Sequence, residues 1–184
     1  MVSSPEASEP RRYAPAARLL HWLTVLLVFS TIPAGLVMVQ EGLPRPLQDS
    51  LFLYHKNIGP VILILVVLRL LLRLVLKTPP LPETLPRLQA LAAISVHWLL
   101  YLSLLVMALS GIVRVQAGGY PIEFWDPLIG GMIAKNEALA KTAMTIHAQC
   151  RYVLIALIFV HVGAAALHGL IKRDGVIRRM WPPI

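Results

Sequence analysis

Six histidines, His21, His55, His97, His147, His161 and His168, are the residues of this chain with the most chemistry to offer. Imidazole binds metals, moves protons near neutral pH and makes hydrogen bonds, and a single ring in an apolar helix is most simply structural. Six such rings in and beside apolar runs are different, because ionisable groups inside a membrane are costly and serve function. His147 and His161 are 14 residues apart. On a helix that leaves them about 40° apart around the axis and about 21 Å apart in height, and the seven-residue step to His168 stays within about 20° of the same face. Zinc wants four converging donors, often with a close i, i+4 pair, and no such pair is present. A proton relay would mix histidine with Asp or Glu, yet the apolar runs hold no acidic residue. Haem iron fits better, since it takes one axial ligand from each of two facing helices.

The elements that must position these rings are membrane spans. Of 184 residues, 57% are hydrophobic and only 14% charged, well below the ~25% charged of a soluble domain. The single cysteine, Cys150, excludes a disulfide scaffold. A surplus of eight positive charges would suggest nucleic acid in a soluble protein; here it is read by position against lipid, and no nucleic-acid partner is expected. Leu19–Val39, Leu91–Val113 and Tyr152–Ile171 are free of charge and near the ~20 residues that cross a bilayer. Ile58–Leu76 is interrupted by Arg69 and Arg73 near one end, where long side chains can reach the headgroups. The expected fold is all-α: one integral membrane four-helix bundle spanning 1–184, with helices near 19–39, 56–76, 91–113 and 147–171 and two haems between them. Pro-rich breaks at Leu43–Pro46 and Thr78–Pro82 and a long connection from Gln116 to Thr145 separate the helices.

Orientation follows from the basic residues. Arg11, Arg12 and Arg18, then Arg69, Arg73, Lys77 and Arg87, then Lys172, Arg173, Arg178 and Arg179 fall on one side, whereas the other two connections balance basic against acidic residues. Both termini are therefore expected in the cytoplasm. Arg11–Arg12 ahead of an apolar run reads as an uncleaved first span rather than an export signal.

On that topology His55 and His147 form an outer pair and His21 and His161 an inner pair of axial ligands. Depth alone favours His168 over His161 as the inner ligand. The step from His147 to His168, about 32 Å, would however push the two irons to opposite faces, and the balance goes to His161. Haem propionates call for cations: Arg151 and Lys56 beside the outer haem, Arg69 with Arg18 and Arg73 at the inner edge. Trp98 reads as an interfacial aromatic, and Gly35, Gly111 and Gly163 as room for a macrocycle or for close helix packing, with packing preferred.

Leu20-His21-Trp22, Arg69-Leu-Leu-Leu-Arg73 followed by Thr78-Pro79-Pro80, and the His147, His161, His168 spacing together resemble the bacterial cytochrome b561 family, over about Tyr13 to Trp181. The similarity is greatest to its stand-alone superoxide oxidase type. It implies a bacterial inner-membrane protein with two haem b held by His21, His55, His147 and His161. It further implies transfer of electrons from periplasmic superoxide to ubiquinone, giving dioxygen and ubiquinol. His168, Arg73 and Lys77, with His97, form the candidate quinone site, since a quinone needs hydrogen-bond donors and a proton source. The alternative is a di-haem subunit relaying electrons between the quinone pool and a partner dehydrogenase or c-type cytochrome.

Overall fold

The computed structural model describes residues 12–81 and 85–183; Arg11, counted among the N-terminal basic residues, lies outside them. The chain forms α1 (Pro15–Val37), α2 (Arg45–Val75), α3 (Arg87–Ala117), a single-turn α4 (Asp126–Ile129) and α5 (Glu137–Ala166). A π-helical turn, Leu167–Lys172, extends α5, and Ile177–Arg179 adds a 3₁₀ turn. All regular structure among the described residues is helical. α1, α2, α3 and α5 with its extension are each long and apolar enough to cross a membrane, so the chain is an integral membrane four-helix bundle.

The helices outrun the apolar segments that mark them. α2 begins at Arg45 rather than near 56 and α5 at Glu137 rather than near 147. The apolar run records only the lipid-embedded part, while polar turns continue the helix into the headgroup layer. Prolines open α1 and α2 in their first turns, where the missing N–H has no intrahelical partner to lose. The Leu43–Pro46 break thus starts a helix as well as ending a loop. Asn136 caps α5, its side chain accepting from the Leu139 N–H at 2.9 Å.

α3 packs against α5, α1 against α2, and α2 against α3. Val28, Ile62, Val66, Leu104 and Leu154 form the buried apolar cluster. Val28 follows His21 by two helical turns, Ile62 follows His55 likewise, and Leu154 lies two turns from both His147 and His161. The cluster is therefore a layer midway between two histidine layers. Buried polar residues such as Thr24, Thr31, Ser103 and Ser110 face inward, whereas Leu26, Phe29, Leu74 and Phe159 face outward. Lipid tails tolerate such an apolar exterior, and small polar residues let the helices approach.

Each end is closed by an irregular segment. At the end away from the termini, the α3–α5 connection is fastened to α2 through Asn57, which is buried. Its Nδ2 donates to Glu123 Oε2 at 2.8 Å, its Oδ1 accepts from the Phe124 N–H at 3.0 Å, and its carbonyl accepts from Trp125 Nε1 at 2.9 Å. At the terminal end the C-terminal strap crosses the bundle. Trp22 Nε1 donates to the Met180 carbonyl and Arg18 Nη1 to that of Pro182, both at 2.9 Å, and the Tyr13 N–H reaches the Arg179 carbonyl.

Candidate functional site

The layer distant from the termini pairs His55 of α2 with His147 of α5. Their ring centroids are 6.1 Å apart and their planes nearly perpendicular, at 78°. His55 Nδ1 lies 3.0 Å from the Thr31 carbonyl of α1. His147 Nδ1 lies 2.9 Å from the Met107 carbonyl and 3.2 Å from Ser110 Oγ, both on α3. A ring nitrogen facing a carbonyl must donate, so each neutral ring carries its proton on Nδ1 and leaves the Nε2 lone pair free to ligate. All four long helices thus contribute to holding two rings.

Two glycines make this arrangement possible. A Cβ at Gly35 would stand 2.5 Å from His55 Cε1, and one at Gly111 would stand 3.3 Å from His147 Cε1. Their role is to clear space for the imidazoles, not to bring helix backbones together as the sequence suggested. A Cβ at Gly163 would meet nothing within 4 Å.

The layer nearer the termini pairs His21 of α1 with His161 of α5, centroids 6.3 Å apart and planes at 72°. His97 of α3 also approaches His161, at 5.2 Å, with its Nδ1 on the Ala93 carbonyl one turn back. Two metal–imidazole bonds of about 2 Å, with roughly 1 Å more from each nitrogen to its ring centre, require about 6 Å between centroids. The spacings of His55–His147 and His21–His161 both meet that requirement; that of His97–His161 is too short. Among the described residues no group of three or more His, Cys, Asp and Glu side chains could hold a bare metal ion. The pairs suit an iron whose remaining four ligands arrive with it, as in haem.

The cations are placed unevenly. Arg151, one turn from His147, lies over the Tyr152 ring, 4.6 Å from its centroid, and bonds the Tyr152 hydroxyl at 2.8 Å. Its Nε is buried without a partner, which leaves a donor for an anion. Lys56 does not remain free for a propionate: its amine bonds the Pro121 carbonyl at 3.0 Å and pairs with Glu123. Burial alone would raise the Glu123 pKa, but hydrogen bonds from Lys56 and Asn57 and the Lys56 charge hold it below the ordinary carboxylate value.

Arg69 Nη2 donates to His21 Nδ1 at 3.0 Å, and its guanidinium stands 5.4 Å from the Tyr101 ring centre. An arginine cannot accept, so His21 differs from His55 and His147 in having Nδ1 as acceptor, and its neutral ring carries the proton on Nε2. Arg73 sits 5.4 Å from the Trp98 ring centre and 5.9 Å from that of Tyr101. Trp98 is thus a platform for a cation as well as an interfacial aromatic.

Lys77 is exposed just beyond α2. His168 lies on the π-helical extension of α5, and its Nδ1 meets Asp174 Oδ2 at 2.5 Å. The chain reverses to make that contact: Arg173 adopts the left-handed region at φ 51° and Gly175 follows at φ 79°. Sequence reasoning missed Asp174, although it is the sole acidic residue after Glu137, in an otherwise basic tail. It also missed Glu123 and Asn57 as a latch, and the Thr31 and Met107 carbonyls, which leave no mark on a sequence.

The model for the prokaryotic cytochrome b561 family matches residues 12–183. The chain is 30% identical over 173 residues to "Cytochrome b561 homolog 2" of Escherichia coli (strain K12), covering 93% of this chain and 92% of that protein. It is 29% identical over 164 residues to "Probable superoxide oxidase CybB" of Yersinia pestis, covering 89% and 92%. It is 27% identical over 173 residues to "Cytochrome b561 homolog 1" of Escherichia coli (strain K12), covering 93% and 97%. With a match across nearly its whole length, the chain belongs to the prokaryotic cytochrome b561 family of membrane electron-transfer proteins that carry b-type haem.

Proposed function

We propose that this protein is a di-haem b oxidoreductase of the bacterial inner membrane, taking electrons from periplasmic superoxide and delivering them to ubiquinone. The observation that carries the reading is the pair of matched histidine spacings, 6.1 Å at one depth and 6.3 Å at the other. Haem b bound there supplies one-electron carrier chemistry. In the net reaction two superoxide anions each give up one electron and become dioxygen, while one ubiquinone takes up two electrons and two protons and becomes ubiquinol. The likeness to the probable superoxide oxidase of Yersinia pestis supports this choice of donor and product.

The basic residues at the terminal end support an orientation with both termini in the cytoplasm and the His55–His147 layer toward the periplasm. There Thr31 and Met107 hold the two rings in the ligating tautomer through their carbonyls, and Arg151 offers its unpartnered Nε to a propionate. At the cytoplasmic end His21 and His161 would hold the second haem, with Arg69 as the adjacent cation. His168, Arg73, Lys77 and His97 supply donors and a proton for the quinone.

A second reading, an electron-transfer subunit docked on a partner redox protein, draws on the α3–α5 connection. Tyr120, Phe124, Leu128 and Met132 are all exposed there. To separate the two, purified protein is mixed with enzymatically generated superoxide and haem reduction is followed, then ubiquinone is added. Reduction that outpaces spontaneous dismutation, followed by reoxidation on adding ubiquinone, is the expected result. A failure of superoxide to reduce the protein, with reduction by a partner protein instead, would favour the subunit reading.

A further inference from the structure

At the cytoplasmic rim the His168 side chain retains 14% exposure and the Asp174 side chain 29%. The two form a chain of access in which the carboxylate meets water and the ring lies further inside. Nδ1–H of His168 donates to Asp174 Oδ2, so Nε2 is the ring nitrogen left for a ligand. The rest of the strap holds Asp174 in place. Its Oδ1 accepts from the Val176 N–H at 3.2 Å, and the reversal that presents it uses Arg173 and Gly175 in left-handed conformations. A Cβ on Gly169 would collide with Ile177, so the strap is seated directly against the turn that carries His168. That turn is π-helical, a form that is rare and concentrated at functional sites.

We infer that His168 and Asp174 form a proton-delivery dyad for the reduced acceptor, in which Asp174 is the positioning residue that makes His168 a proton donor. The inference rests on the quinone site proposed above. For each quinone reduced, two electrons arrive from two superoxide anions and two protons from the cytoplasm. In each protonation the Nε2–H bond of the His168 imidazolium breaks, a quinol O–H bond forms, and the ring is left neutral with Nδ1–H still on Asp174. Water then returns a proton to Nε2, the nitrogen that lost it, before the next transfer. Burial would push the Asp174 pKa up, but hydrogen bonds from His168 and the Val176 N–H, together with the charges of His168 and Lys172, hold it below the usual value. Asp174 therefore stays anionic at neutral pH and keeps Oδ2 as an acceptor for His168 Nδ1–H. Lys172, the other charge acting on it, is itself bonded to Gln89 of α3 at 3.1 Å; Arg173 Nε is engaged by the Leu170 carbonyl.

The test uses the haem-loaded protein reduced stoichiometrically by dithionite, with a soluble ubiquinone analogue as acceptor, so that no superoxide is needed. The rate of haem reoxidation is measured across pH for the wild type, Asp174→Asn and Asp174→Glu. Asp174→Asn keeps an acceptor for Nδ1–H but removes the charge. It is expected to lower the maximal rate about tenfold, with the KM for the analogue and the haem spectrum unchanged, and Asp174→Glu is expected to restore the wild-type profile. An Asp174→Asn profile that overlays the wild type would overturn the dyad and leave the quinone site standing. Failure of wild-type haem to reoxidise with the analogue would overturn both.

Discussion

Gly35 and His55 are a matched pair: the imidazole occupies the space that any side chain on residue 35 would need, with Cε1 only 2.5 Å from where a Cβ would stand. The neighbouring atom belongs to a ring held by the Thr31 carbonyl, so it cannot swing aside without losing that bond. Gly35→Ala should therefore displace His55 and deplete the haem proposed for the His55–His147 layer, with the haem-to-protein ratio expected to fall from about two toward one. Gly111→Ala, whose Cβ would stand 3.3 Å from His147, should cost less. The pyridine haemochrome assay on both variants checks the order; equal retention by both would show that neither glycine is spatially required.

His161 and His168 are separated by function in this account. His161→Ala should lose the haem proposed for the His21–His161 layer, because it removes the imidazole that stands 6.3 Å from His21. His168→Ala should keep both haems and lose ubiquinone reduction. Haem content alongside haem reoxidation by a ubiquinone analogue distinguishes them, and the reverse pattern would reassign the inner ligand.

Arg69 places a fixed positive charge beside the His21 ring. A buried cation near a redox centre favours the electron-rich form, so Arg69→Met should lower the midpoint potential of one haem by roughly 60 mV, one decade for a one-electron couple. The other haem should stay unchanged. Potentiometric titration reads both at once, and an equal shift in the two would place Arg69 elsewhere.

The Lys56–Glu123 latch gives a dependence on acid. Glu123 is held below its ordinary pKa, so its contribution is present above the unfolded value and is lost as pH falls through the lower folded one. Amide exchange at Phe124 and Trp125 should accelerate, beyond its intrinsic pH trend, as pH drops through that range. Glu123→Gln should exchange fast throughout, with little pH dependence of its own. Asn57→Ala, which leaves the Glu123 Oε2 and Phe124 N–H contacts unmade, should loosen the same segment at every pH, by about 1–3 kcal/mol.

Much of the fold was legible because lipid imposes strong rules. Apolar length marked four spans, and the histidine steps along α5, set by the helical repeat, marked two layers. What could not be read was whatever depends on contact between helices. Nothing in the sequence distinguishes Thr31 and Met107 as carbonyls that orient imidazoles, since every residue has one. Gly35 and Gly111 were visible as small residues, but only the bundle shows that rings fill their space. Lys56 follows His55 and invited a propionate role, yet the α3–α5 connection folds back to bring Glu123 onto it. Asp174 stands six residues from His168, off the helix face, and becomes its partner only through a π-helical turn and a left-handed reversal at Arg173.

The central claim is that two histidine pairs, His55 with His147 and His21 with His161, each hold one haem. The most direct measurement is the haem-to-protein ratio of the purified protein, taken with its reduced-minus-oxidised spectrum. The account predicts about two b-type haems per chain, both bis-histidine. A ratio of about one, or a spectrum with no b-type signal, would contradict it.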